Sequence, residues 1–514
     1  MKRLLLTAAT IALTMSGPAL AQKAADTVRI PIGEPISGLS DYLNSNAEME
    51  FNSQAVHDTL IAYDEDDNKF APLLAKAWRR IDDRTLEFDL RDDVMWHDGE
   101  KFTAADVKYT LEWATDPEVK LRNKRYYDWV EKVEVLGPYK LRMITRQPTP
   151  YDEAQLANNY YILPQHLWSK LPLNDKIAFA RKPIGTGMYR AAEVNDAKGI
   201  FLVKNDAYKH GGAVKPASNI KYLNQPYMPD FGSRIAEFLA GNIDMLARQL
   251  TTDQMQDLLK LGNVKTSLVQ GPTIAYMAID ARGKAGVPAL NDARVRRAMF
   301  MAIDRSQLTK LATNDFQLNR VPDGMCWKDQ MACDYSVLPP AFDPVGAKKL
   351  LTEAGYPNGF DLELATYATS VADFAVAISG QLSKIGIRST VQKYTVATQR
   401  KVEAEGKIAV MVGSYPSGSL PDAANVLAFF FDPKANSNYH ADPVLTDMLA
   451  KMGGVMDQAQ RKEMAKRIFD HATEQAYVMP IGPRPVPLAY RDYLDVKASR
   501  YANVGFNPGD VNWK

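Results

Sequence analysis

Between Leu90 and Trp113 the chain reads LRDDVMWHDGEKFTAADVKYTLEW, one histidine set among carboxylates around an Asp-Gly turn. Imidazoles and carboxylates make metal sites and general acid–base pairs, so chemistry is sought here first. His97 has no ligand partner at i+3 or i+4 on a helix. The other histidines (His57, His166, His210, His440 and His471) are scattered without metal spacing. There is no HExxH, no GxSxG and no Walker loop. Gly185-Thr-Gly187 lacks the third glycine of a dinucleotide loop and follows no clear strand. Cys326 and Cys333, in CWKDQMAC, fit neither a CxxC redox pair nor a zinc knuckle. These patterns point away from an enzyme, a metal site and a cofactor.

The elements around His97 give its carboxylates other work. Arg84-Thr-Leu-Glu-Phe-Asp-Leu-Arg91 alternates, with Leu86, Phe88 and Leu90 on one face and Glu87, Asp89 and Arg91 on the other, as a half-buried strand requires. Asp98-Gly99 predicts a turn. Thr103 predicts a helix N-cap with Asp106 reaching back from N3, and Val107 and Leu111 begin the apolar face. Further along, 345–354 has helical spacing closed by Gly355 with Pro357 beyond. Residues 360–364 alternate as a strand, 371–382 is helical and closed by Gly386, and 464–472 reads as a late helix. Val28 to Ile32 is a short strand, and the proline-rich stretch 480–487 suits a crossing segment. Strand–helix–strand units of this kind imply α/β lobes with partly parallel sheets.

The N-terminus is read as a cleavable secretory signal. Lys2 and Arg3 precede an apolar run from Leu4 to Met15, Gly17 and Pro18 break it, and Ala19-Leu20-Ala21 offers the small residues of a cleavage site. The run is too short for a hydrocarbon core of roughly 30 Å, which needs about 20 residues. No cysteine stands at the cleavage point for a lipid anchor. Cleavage leaves 493 residues beginning at Gln22 and takes the formal charge from +1 to −1. Nothing in that balance invites nucleic acid or an anionic membrane. A soluble protein of a Gram-negative periplasm is expected. In that compartment one close cysteine pair reads as a local disulfide, worth about 2–3 kcal/mol on the chain-entropy model. A chain this long needs two or three lobes.

Several motifs, taken in order, resemble one family. Ala71 to Trp113 carries Pro72, Leu74, Ala75 and Trp78, a strand ending in Leu90-Arg91, then His97-Asp98-Gly99 and Thr103-Ala104 with Asp106-Val107. This resembles the signature of the dipeptide/oligopeptide-binding family of ABC importer solute-binding proteins. Pro183-Ile-Gly-Thr-Gly187 with Tyr189 resembles a further family motif, with Met188 in place of a proline. Val295 to Arg305, Ala347 to Phe360 and Gln381 to Ile387 resemble three more. The resemblance implies a large two-lobed α/β periplasmic binding protein with a hinge and an extra subdomain. Lobe I would comprise 22–55, 185–272 and 478–514, the inserted subdomain 56–184, and lobe II 273–477. It also implies an inner-membrane ABC permease as partner, a monomer, and a di- or oligopeptide as the first choice of cargo. In that family the His97 segment is a structural hallmark, not a ligand site.

By the same resemblance, the ligand is expected between the lobes. Peptide-binding relatives pair the peptide ammonium with an aspartate in a segment similar to Tyr415–Asn425. If Asp422 and Asn425 hold their family positions, Ser419 replaces that aspartate and Pro416 replaces a tryptophan. An ammonium buried without a carboxylate is costly. That leaves room for an opine-like conjugate, an oligosaccharide or an N-blocked peptide. Asp422 either supplies the charge from a re-registered loop or is a turn residue. Candidate contacts are Tyr415, Ser417 and Ser419, then Tyr367, Thr369 and Ser370 after the strand at 360–364, and the early loop Gly33 to Leu39. A periplasmic hydrolase is the rival of a different class.

Overall fold

The computed structural model describes residues 25–36, 38–40, 42, 46–119, 121, 124–172, 176, 179–271, 273–314, 316–318, 322, 324–367, 369–415 and 420–514. The expected leader, 1–21, lies outside them. Four sheets carry the fold. Thr27–Arg29 runs parallel to Tyr222–Pro226, which pairs with Gly199–Lys204 and through it Tyr189–Asn195. A three-stranded sheet places Val486–Arg491 between Met245–Ala247 and Val264–Val269. A mixed five-stranded sheet has the order Arg388–Lys393, Asp361–Thr366, Val410–Tyr415, Ile274–Ile279, Val478–Pro483. The fourth, antiparallel, joins Ala75–Asp82, Thr85–Leu90, Lys140–Thr145 and Val130–Gly137.

The apolar cores follow these sheets. One is built from side chains between Tyr42 and Ala180. Another gathers Val28 to Val56, Met188 to Val269 and Leu488 to Val511. Two more lie on either side of the five-stranded sheet and draw on residues 275–481. The chain changes sheet twice. Val264–Val269 and Ile274–Ile279 lie in different sheets, joined through 270–273; Val478–Pro483 and Val486–Arg491 are joined through Arg484-Pro485. Gln270 ties down the first crossing by donating from Nε2 to the carbonyls of Gly271 (2.7 Å) and Thr273 (2.9 Å). Gly271 must be glycine, because a Cβ there would stand 2.6 Å from the Arg500 carbonyl oxygen.

Locally, the expected elements form. The late helix is longer than its periodicity suggested, Gln458–Glu474, and helices occupy Pro344–Glu353 and Thr369–Ser383. Thr103 caps Ala104–Thr115 in a full capping box with Asp106, and Val107 and Leu111 are buried. Glu87 departs from the expected exposed face: it is buried, because Arg79, Lys140 and Arg142 close over its carboxylate.

His97 fastens its segment to the loop that precedes the strand Tyr189–Asn195. Its N–H donates to the Gly185 carbonyl (2.9 Å), its Nε2 bonds the Gly187 carbonyl (2.9 Å), and Gly185 N–H donates to its Nδ1 (3.2 Å). Burial pushes its pKa down to about 4, so the ring is the neutral tautomer protonated on Nε2. Glycines 185 and 187 let their loop pass against the end of the helix Ala47–Val56: a Cβ at either would lie 1.8 or 2.5 Å from the carbonyl oxygens of Val56 and Ala55. Beside them Asp58, fully buried, accepts from Lys215 Nζ (2.5 Å), Thr186 Oγ1 (2.8 Å) and His210 Nε2 (2.8 Å). Burial alone would raise its pKa; the charges of Lys215 and His210 instead hold the carboxyl far below the ordinary carboxylate range.

Removing one partner of such a buried pair costs about 3–5 kcal/mol. Asp58→Asn is therefore expected to lose about that much at neutral pH. A depressed carboxyl stabilises the fold above the unfolded pKa near 4 and loses this contribution as pH falls below it. The gap between wild type and variant should shrink in acid, measured by urea unfolding across that range.

Candidate functional site

At the second crossing a cavity of ≈ 620 Å³ opens between the sheets, reaching Leu268 just ahead of the first. Glu34, Glu48, Arg234, Arg248 and Thr251 line it from the side of the N-terminal sheets. Leu311, Asp373 and Phe374 line it from the side of the five-stranded sheet, and Arg484 stands between them on the crossing itself.

Arg234 and Glu48 are positioned by backbone. Arg234, in the helix Phe231–Leu239, donates from Nε to the Met228 carbonyl (2.7 Å), and its guanidinium lies 5.4 Å over the Phe231 ring. It also fills the space beside Gly33: a Cβ there would meet Arg234 Nη2 at 1.7 Å. Glu48 accepts the N–H groups of Gly33 and Glu34 at 2.8 Å each. Burial raises the Glu48 pKa, opposed by those two N–H groups and the charges of Arg234 and Arg248. Arg248 holds a left-handed backbone (φ +76°), and its N–H donates to the Pro487 carbonyl (2.9 Å). Such a conformation costs a residue with a Cβ on the order of 1 kcal/mol, and strain of this kind gathers at ligand clamps. Burial lowers the Arg484 pKa; Tyr367 opposes that shift and Arg248 adds to it. Three arginines, Arg234, Arg248 and Arg484, thus line one cavity, from a helix, a loop and the second crossing.

The residues singled out from sequence are distributed as follows. Gly33 is at the cavity edge, under Arg234. Tyr367 is half-buried; its hydroxyl donates to the Ser414 carbonyl (2.9 Å) and accepts from Ser414 N–H (3.1 Å). Thr369 and Ser370 begin the helix that carries Asp373 and Phe374. Ser417 and Ser419 lie outside the described residues, as does Pro416. Leu39 is fully buried in the N-terminal core and bonds the Ala180 carbonyl through its N–H (2.6 Å). Tyr415 is core as well, with its ring centroid 4.9 Å from Phe429 and 5.7 Å from Phe430. Asp422 is fully buried and clasped by Arg461 at 2.9 and 3.0 Å, while its Oδ1 accepts from Ala424 N–H (2.7 Å). In this structure its charge is committed to Arg461. A smaller cavity of ≈ 290 Å³ lies next to that pair, between Pro150, Tyr151 and Gln155 and residues Leu420, Asn425 and Arg461.

Sequence reasoning missed Arg234, Arg248 and Arg484. One usable signal was present: an arginine between two prolines in the crossing segment. Cys326 and Cys333 form a disulfide, Cα–Cα 5.9 Å. Among the described residues no cluster of His, Cys, Asp and Glu suits a metal ion, and no helix is long and apolar enough to cross a membrane.

Residues 69–438 match the model of the bacterial extracellular solute-binding proteins, family 5 middle region. The glutathione-binding protein GsiB of Pectobacterium atrosepticum is 26% identical over 492 residues, 91% of this chain and 90% of that protein. GsiB of Salmonella paratyphi A is 29% identical over 397 residues, covering 76% and 73%. Among solved structures, the substrate-binding protein CtaP of Listeria monocytogenes superposes with a TM-score of 0.83 at 19% identity, covering 95% of this chain and 99% of that one. DppA of Helicobacter pylori, in complex with the peptide STSA, gives 0.75 at 22% identity, covering 96% and 99%. These neighbours share the two-lobed α/β fold.

Two substitutions test the geometry. Asp422→Ala leaves Arg461 buried without a counter-charge, so it should destabilise the ligand-free protein by about 3–5 kcal/mol in urea unfolding. Gly33→Ala forces the Arg234 guanidinium from its seat, with an expected loss of about 1–3 kcal/mol in the same measurement.

Proposed function

The chain belongs to family 5 of the bacterial extracellular solute-binding proteins, and from that premise we propose that it captures a small peptide-type solute by its carboxylate. It does so in the periplasm, for delivery to an inner-membrane ABC permease. The cavity at the second crossing carries this reading, because Arg248 and Arg484 meet there with residues from both sides of the molecule. Arginine matches a carboxylate with two parallel N–H donors, and in a partly dry cavity such contacts are roughly twice as strong as neutral ones. The peptide cargo is supported by the relatives, named as glutathione-binding, and by a structural neighbour that holds the peptide STSA.

Capture works by shifting a population. A ligand touching both sides of the cavity has its full contacts only when the lobes are closed, so its binding favours closure. We place the lobe division at 270–273 and 484–485, where the chain changes sheet. Gly33, Tyr367, Thr369 and Ser370 remain candidate ligand contacts around that cavity, and Ser417 and Ser419 remain candidates by family resemblance alone. The chain acts as a monomer, is exported by its cleaved leader, and releases its cargo unaltered.

Thermal shift tests this directly. Di- and tripeptides and glutathione with a free C-terminal carboxylate should raise the melting temperature, a ligand at 100 times its Kd adding about 2.7 kcal/mol. C-terminal amides should lose most of the effect, whereas N-acetyl peptides should keep it if Asp422 and Asn425 hold their family positions, which puts Ser419 where relatives have an ammonium-binding aspartate. Arg484→Met should weaken binding by about tenfold or more. A response to oligosaccharides alone, or equal shifts from amides and free acids, would overturn the carboxylate reading; recovery of a converted product would overturn the non-catalytic one.

A further inference from the structure

Building on the two-lobed reading above, we infer that the disulfide-stapled loop 326–333 is a closure latch, setting the balance of open and closed forms through the ion pair of Asp329 with Arg500. The pair joins segments fixed to opposite sides of the molecule. Asp329 Oδ2 and Arg500 Nη1 stand 2.7 Å apart, with side chains 22% and 25% exposed.

Asp329 belongs to the side of the five-stranded sheet. Its loop is closed by Cys326–Cys333 and bonded to the neighbouring segment: Met331 N–H donates to the Pro421 carbonyl (2.9 Å), and Ala423 N–H returns a bond to the Met331 carbonyl (2.8 Å). Cys326, Ala332 and Cys333 pack into the same core as Phe430 and Phe431. A short covalent loop has little freedom to lose, so Asp329 is held ready.

Arg500 belongs to the other side. Its backbone N–H donates to Glu65 Oε2 (2.8 Å), its Nη2 donates to the Glu65 carbonyl, and the ring of the next residue, Tyr501, stacks edge-on against Tyr63 at 5.3 Å. Its carbonyl oxygen is the atom that forbids a side chain at Gly271 on the first crossing. Rotation of one sheet against the other about the two crossings therefore displaces Arg500 relative to Asp329. A further polar bridge, Asn314 to Asp253, is not a pair of opposite charges, so salt separates the contributions.

The test needs no ligand, and so stands or falls apart from the choice of cargo. Small-angle X-ray scattering of the unliganded protein reads the open fraction at about 0.02 M and about 0.5 M salt. Asp329→Asn should raise the ratio of open to closed forms about three- to tenfold at low salt and leave it insensitive to salt. Asp329→Glu should stay near wild type, which separates a charge effect from mere loop packing. Wild type itself should open on raising salt, a measurement that uses no variant. Cys326→Ser/Cys333→Ser should move in the direction of Asp329→Asn. An unchanged radius of gyration in Asp329→Asn, a wild type indifferent to salt, or Asp329→Glu opening as far as Asp329→Asn would overturn the latch.

Discussion

Two short crossings of chain govern this molecule. At 270–273 and again at 484–485 the backbone leaves one sheet and enters another; the second crossing lines the larger cavity, and Leu268, just ahead of the first, reaches it. A pair of adjacent links allows relative rotation of the bodies they join while keeping each body's sheet and core intact. Residues from both bodies also share the larger cavity beside the second link, as they do the smaller one between 150–155 and Leu420, Asn425 and Arg461. Around the first link, the Gln270 amide on its neighbours' carbonyls and the Arg500 carbonyl over Gly271 hold Gln270, Gly271 and Thr273.

Buried charge marks the seams. Asp58 with Lys215 and His210 lies where the 42–180 core meets the N-terminal core, and Asp422 with Arg461 lies where residues 150–155 approach the second body. Paired charges of this kind add little net stability over apolar packing, but they punish any misalignment. Their value here is register: each admits one arrangement of the segments it joins. His97, neutral and bonded on both ring nitrogens to Gly185 and Gly187, does the same without charge.

Legibility in the sequence follows distance along the chain. The capping box at Thr103, the glycine stops at Gly355 and Gly386, and the turn at Gly99 are decided by neighbours within a few residues, and periodicity reads them well. Asp422 shows the limit: its carboxylate is answered by Arg461, thirty-nine positions away, and no local pattern announces that clasp. Arg234, Arg248 and Arg484 are drawn to one cavity from helix, loop and crossing, so their convergence is a property of topology alone. Tyr415 is a candidate in the sequence because the segment Tyr415–Asn425 resembles the family's ligand segment; its ring packs, tilted, against Phe429 and Phe430. Glu87, assigned to water by alternation, is roofed by basic side chains from the flanking strands of its own sheet.

Pro483 and Pro485 bracket Arg484. A proline fixes its own φ and confines the residue before it to extended backbone, so this link is stiff and its torsion is concentrated in few angles. The guanidinium is mounted on that axle. Turning the axle therefore swings a positive charge relative to Arg248, and the electric field inside the cavity changes with the angle between the bodies.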